Sequence, residues 1–196
     1  MSRKKYHHGN LKKAIIKESL RQLDKVGLEK LSFREIAKNL EVVSSAPYNH
    51  FNSKDELLSE LISIGTKSLL DKMHNELNSK MSPAEKLYRF AKAYLKFSIE
   101  KKELFLLMFS SYNLEIKNLI NTLSTQFHDI VKEKFKEGKR FRVTEKGASI
   151  TAWSMVHGLA KLVSNDKLET IEKQSSLNIE ELFIQMSAIW GKGVSN

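Results

Sequence analysis

Ser44, Ser45, Ala46, Tyr48 and Asn49 fall within six residues of one another and bring together two small hydroxyls, a methyl, a phenol and a carboxamide. These are groups that read DNA. A carboxamide can pair bidentately with adenine, a serine hydroxyl can bond a base edge or a phosphate, and an alanine methyl can meet a thymine methyl. Lys54 follows closely, and Arg3, Lys4 and Lys5 form a basic arm ahead of them. Such an arm can lie along a phosphate backbone or in a minor groove. Catalytic arrangements are missing by comparison. No glycine loop could cradle a phosphate, no HExxH stands on a helix, and His7-His8 sits in a charged arm. A catalytic helical bundle and a protein-binding adaptor remain the rival readings, and the adaptor would need no basic N-terminal unit. The chain has no cysteine, which excludes a disulfide scaffold and Cys-based zinc sites. No metal or cofactor is expected.

Charge points the same way. Residues 1–54 hold 12 Lys/Arg against 5 Asp/Glu, a net of +7, while residues 55–196 hold 21 against 18, a net of +3. A basic N-terminal quarter suits a polyanion partner, although a well-solvated basic surface would give the same sum. No run of about 18 apolar residues exists, and the N-terminus lacks the apolar core of a secretory signal, so the expected compartment is the cytoplasm.

Helices must position these groups. With only two prolines and eight glycines in 196 residues, long stretches run without breakers, which favours an all-α fold. A first helix is expected from Asn10 to about Val26, stopped by Gly27 with Leu28 beyond it. Ser32 and Glu35 make a capping box for a second helix with Phe33, Ile36, Ala37 and Leu40 inside. Glu41 to Ser45 form a turn, and a third short helix runs from Ala46 to about Phe51. Ser53 with Glu56 opens a fourth, long helix to about Asn78, and Ser82-Pro83 starts another. Residues 103–110 form a short apolar helix. Helices at about 114–136 and 145–163 follow, and Asn178 caps a last one. Residues 137–144 and 164–177 are expected as loops.

Two short helices joined by a tight turn and braced by a third form a helix-turn-helix, in which the N-terminal end of the second helix enters the major groove. Short capped helical corners are common, so this pattern alone also fits an ordinary corner. The residues themselves are more specific. YHHGNL at 6–11, LSFREIAKNL at 31–40 and APYNHFNSKDELL at 46–58 resemble the N-terminal domain of the TetR family of repressors. TAWSMVHGLAKL at 151–162 looks like the Trp–His–Gly signature of one branch of that family. The resemblance is strong over the first third and weaker beyond. It implies a DNA-binding domain at 1–54 and a helical effector-binding and dimerisation domain at 55–196. It further implies a homodimer that represses from a palindromic operator and is released by a small molecule. By the same resemblance, Ser32, Arg34, Tyr48, His50 and Lys54 are expected at phosphates, Ser44, Ser45 and Asn49 nearest the bases, and Phe51 in the core.

The turn departs from the family pattern of Gly, Val, then Ser or Thr, with Glu41-Val42-Val43 in its place. Glu41 must adopt a conformation that glycine takes more cheaply, at a cost of up to ~1 kcal/mol. Val43 cannot cap a helix, so the cap is expected at Ser44. That would leave Pro47 among the positions whose N–H is free in any case.

Beyond residue 83 the chain is rich in large apolar groups. Phe90, Tyr94, Phe97, Phe105, Met108, Phe109, Tyr112, Phe127 and Trp153, with His157 one turn after Trp153, fit either a plain helical core or the lining of a cavity for an apolar or aromatic effector. The helix at 145–163 is apolar on more than one side. Ala152, Met155 and Leu159, with Leu182, Phe183, Met186, Ile189 and Trp190 of the last helix, are expected at a dimer interface.

Overall fold

The computed structural model describes residues 8–110, 114–136, 142–165 and 168–194. Among these residues the fold is all-α, without a strand. Its helices are α1 (His8–Val26), α2 (Phe33–Asn39), α3 (Lys54–Asn75), α4 (Pro83–Glu100), α5 (Lys102–Met108), α6 (Leu114–Phe135), α7 (Glu145–Ser164), α8 (Leu168–Ser175) and α9 (Ile179–Val194).

Four of the expected caps form. Ser32, Ser53 and Ser82 each accept a hydrogen bond from the backbone N–H three residues on, at Glu35, Glu56 and Glu85. Asn178 and Glu181 cap each other reciprocally, side chain to backbone N–H in both directions. Gly27 ends α1 with φ 75° and donates its N–H to the Leu23 carbonyl at 3.0 Å. The start of α7 is capped by Thr144, which accepts from the Gly147 N–H at 3.2 Å.

Three expectations change. The third short helix is a single 3₁₀ turn, Ala46–Asn49, so the long helix counted fourth in the sequence is α3. Pro47 stands at the start of this 3₁₀ turn, where a missing N–H costs nothing, and the turn closes with bonds to carbonyls three residues back, Tyr48 to Ser45 and His50 to Pro47. The stretch 164–177 is not all loop, since α8 lies within it. In the sequence, Leu168 and Ile171 stand among polar residues and give little periodic signal. The long helix ends at Asn75, three residues earlier than expected.

One buried cluster runs from Leu11 on α1 to Val194 on α9. Within it α5 is the junction, packing on α1, α3, α4 and α7. Its seat on α3 depends on Gly65. A Cβ at that position would lie 2.7 Å from Met108 Sδ and 3.1 Å from Leu104 Cγ, so any side chain there would force those two α5 side chains to shift.

Candidate DNA-reading surface and interior cavity

The turn entering the reading segment is built on a strained residue. Glu41 has φ 56°, the left-handed conformation expected of it. Its N–H bonds the Lys38 carbonyl at 3.1 Å, and the Val42 N–H reaches back to the Ala37 carbonyl at 3.0 Å. This is a Schellman stop with glutamate where glycine is usual, and half-buried Val42 supplies its apolar contact. The expected cap at Ser44 is not found. Ser45 takes the cap position, in helical conformation and with no side-chain cap bond. The Ala46 N–H bonds Val43 at 2.9 Å and the Tyr48 N–H bonds Ser45 at 3.1 Å, both three residues back, so the chain curls before Ser44 can serve as a cap.

Ser44, Ser45, Tyr48 and Asn49 are exposed, as are Arg34 and Lys54, while Ser32 and His50 are half-buried. Ala46 is not available to a base: its methyl is buried and joins the core. Phe51 is fully buried, with the Lys12 ammonium 5.3 Å from its ring centre. Tyr48 is held edge-on against Phe33, with ring centres 4.8 Å apart, which braces the ring of an otherwise exposed residue. Lys54 Nζ bonds the Leu28 carbonyl at 3.2 Å, so it also ties the start of α3 to the loop after α1. Lys4 and Lys5 lie outside the described residues. Val43 is 69% exposed beside the reading residues, and only its place in the turn hinted at this.

A carboxylate anchors the unit from behind. Glu18 on α1 accepts from Arg21 Nε and Nη2 at 2.7 Å, from Gln22, and from Asn39 of α2 at 2.7 Å. The Arg21 bonds, aided by Asn39 and Gln22 against the effect of burial, hold the Glu18 carboxyl down to about 2.

The aromatic residues expected to line a cavity mostly fill space instead. Phe90, Tyr94, Phe97, Phe105 and Met108 are fully buried, and Phe109 and Trp153 pack against them. Tyr112 lies outside the described residues. His157 is half-buried among the rings of Phe109, Phe105 and Trp153, and its Nδ1 shares a 2.7 Å hydrogen bond with the Tyr94 hydroxyl. Burial and then the nearby Lys161 charge hold the imidazole down to about 4, so it is neutral near pH 7, and burial pushes the Tyr94 phenol above its ordinary range.

A cavity of about 300 Å³ opens one layer away, between α4, α6, α7 and α9. Of the residues expected around a ligand, only Phe127 lines it. Its other walls include Ala152, Met155, Phe183, Met186 and Trp190, all five of them expected at a dimer interface. Phe183 is fully buried inside the protomer, and Leu159 and Leu182 are half-buried, which leaves Ile189 as the exposed member of that set. Sequence reasoning missed Ala84, Leu87, Tyr88, Ala91, Lys134, Val156 and Ala188. The signal was the small residues at Ala84, Ala91, Ala152 and Ala188, which leave space where helices face each other. Among the described residues no group of acidic and histidine side chains could hold a metal ion, and no helix is long and apolar enough to cross a membrane.

Comparison with known proteins agrees with this architecture. Residues 15–61 match the model of bacterial regulatory proteins of the tetR family, and residues 87–186 match that of the tetracyclin repressor-like C-terminal domain. The nucleoid occlusion factor SlmA of Vibrio campbellii is 27% identical over 172 residues, covering 83% of this chain and 86% of its own length. A protein of unknown function from Rhodococcus sp. RHA1 superimposes with a TM-score of 0.82 at 22% identity, covering 99% of this chain and 100% of its own. A Saccharomonospora viridis protein solved in complex with choline gives 0.78 at 16% identity, covering 96% and 100%. At such identities the structural likeness is one of fold.

Proposed function

Because the chain belongs to the tetR family of bacterial regulatory proteins, and so is a DNA-binding transcriptional regulator, we propose that it is a cytoplasmic homodimeric repressor released from a palindromic operator by a small molecule. The observation that carries the reading is the exposure of Ser44, Ser45, Tyr48 and Asn49, with Arg34 and Lys54, around a fully buried Phe51. Ser44, Ser45 and Asn49 then face base edges, while Ser32, Arg34, Tyr48, His50 and Lys54 hold phosphates. Lys4 and Lys5 extend the grip along the backbone. The boundary between the two functional parts falls between residues 54 and 55, at the start of α3.

The effector reading rests on the cavity between α4, α6, α7 and α9. The choline in the Saccharomonospora viridis relative supports small-molecule binding by this fold without identifying the ligand here. A ligand acts only by binding one dimer geometry better than another. The path outward runs from α7 through His157, whose ring centre is 6.0 Å from that of Phe105 on α5, and from α5 to α3 at Gly65. With α3 as lever, a shift of α7 would change the spacing of the two reading heads.

For the dimer, the exposed sides of α7 and α9 offer Ile150, Leu162 and Ile189. Gly158 adds a place where a Cβ would meet nothing within the protomer, so a partner helix could approach closely.

The decisive experiment is a gel shift on the gene's own upstream DNA at rising salt. A retarded band lost steeply with salt is expected from phosphate contacts. No band even at low salt would refute DNA binding at that site.

A further inference from the structure

We propose that the cavity between α4, α6, α7 and α9 takes a small amphiphilic carboxylate, its apolar body among Leu87, Phe127, Val156 and Phe183 and its anionic end at Lys134. This rests on reading the cavity as the effector site.

The volume, about 300 Å³, lies at the lower end of ligand pockets, so the ligand is small. The walls are aliphatic and aromatic, and their polar groups are largely spent. Trp190 Nε1–H donates to the Ala148 carbonyl at 3.1 Å, and the Ser187 hydroxyl donates to the Phe183 carbonyl at 2.8 Å. Lys134 is the charged residue in the lining. Neighbouring lysines on the same helix layer hold carboxylates, Lys86 with Glu133 at 2.7 Å and Lys92 with Glu180 at 2.7 Å. Lys134 has no such partner among the described residues. Exposed Lys132 and Lys136 flank it at the end of α6 and add to the positive potential there.

A cation set in an apolar wall, with nearby carboxylates already engaged, favours an anion over a neutral head group. A quaternary ammonium would stand against a like charge, so the aromatic walls do not make this a cation cage. A carboxylate fits the ammonium as a charge-assisted acceptor, while the chain buries apolar surface behind it.

Titration calorimetry on the full chain with octanoate, octanol and octyltrimethylammonium tests this, because the three share one alkyl chain and differ in head-group charge. Octanoate is expected to bind about tenfold more tightly than octanol, with the ammonium weakest. Lys134→Gln should erase the carboxylate advantage and Lys134→Arg should keep it. Ala152→Phe, which fills the cavity, should weaken all three. Equal binding of octanoate and octanol, or an advantage that survives Lys134→Gln, overturns the carboxylate assignment alone if Ala152→Phe still weakens binding. Failure of all three probes to bind the native chain, or binding unaffected by Ala152→Phe, overturns the cavity reading with it.

Discussion

The side-chain amide of Asn39 donates to the carboxylate of Glu18 at 2.7 Å, and this bond fastens α2 to α1. Glu18→Gln should cost about 1–2 kcal/mol, because it removes a charged acceptor of four hydrogen bonds from three residues. The folded carboxyl titrates near 2 against an ordinary 4.5. The stabilisation it gives is therefore fully present above about 4.5 and is lost as pH falls toward 2. Urea unfolding of the native chain and the variant should differ near neutrality and converge in strong acid. A gap that stays constant with pH would refute the assignment.

Tyr48 is braced by Phe33, so its ring should matter through position as well as through its hydroxyl. Tyr48→Phe should weaken operator binding moderately, and Tyr48→Ala more. Arg34→Ala should weaken all sequences alike and lower the salt slope by about one, whereas Asn49→Ala should relax preference at one base pair by about 1–3 kcal/mol. Binding isotherms on the native site and single-base variants at several salt concentrations separate these outcomes.

Glu41 is a non-glycine residue in the left-handed conformation, with its charge beside the reading segment. Glu41→Gly should raise stability by up to ~1 kcal/mol. It should also tighten DNA binding by removing a negative charge. Thermal melting reports the first effect and affinity at low salt the second. A variant that melts lower would show that the turn is not strained.

His157 should be neutral at pH 7 and gain its proton only near pH 4, where its ordinary value is 6.5. The unfolded chain then binds more protons between these values. Its contribution to stability is intact above about 6.5 and falls as pH drops toward 4. This window overlaps that of Glu18 only between about 4 and 4.5, so the His157 part is separable above 4.5. An NMR titration of the His157 ring measures it directly, and a midpoint at 6.5 would contradict the burial argument. Substitution by Gln should remove this part of the pH dependence.

Ile189, 65% exposed on α9, is the residue expected at the dimer interface that the fold leaves outward. Ile189→Lys should shift the chain toward monomer in light scattering and reduce operator affinity, because a palindrome rewards two linked heads. A native chain that is monomeric at micromolar concentration would refute the dimer itself.

The sequence by itself determined the local features. The Ser32, Ser53, Ser82 and Asn178 caps and the Gly27 stop depend on near neighbours and on helical periodicity, which short spacings encode, while the left-handed Glu41 and the buried Phe51 followed from the resemblance to the TetR family. The exposure of Ser44, Ser45 and Asn49 followed from the same patterns. The 3₁₀ turn at Ala46–Asn49 was missed because four residues are too few for their spacing to separate a 3₁₀ turn from a short α-helix. Only the tertiary structure decided which apolar faces meet. Phe90, Tyr94 and Phe105 are large and close-packed, so they fill the interior. The space falls where Ala84, Ala91, Ala152 and Ala188 from three helices face one another. A cavity is set by helix crossing and by what is absent between side chains, and no spacing along a single helix records it. For that reason Met155, Phe183 and Trp190, expected at an interface, proved to line the cavity wall, and Lys134 came into view only when α6 was set against α4, α7 and α9.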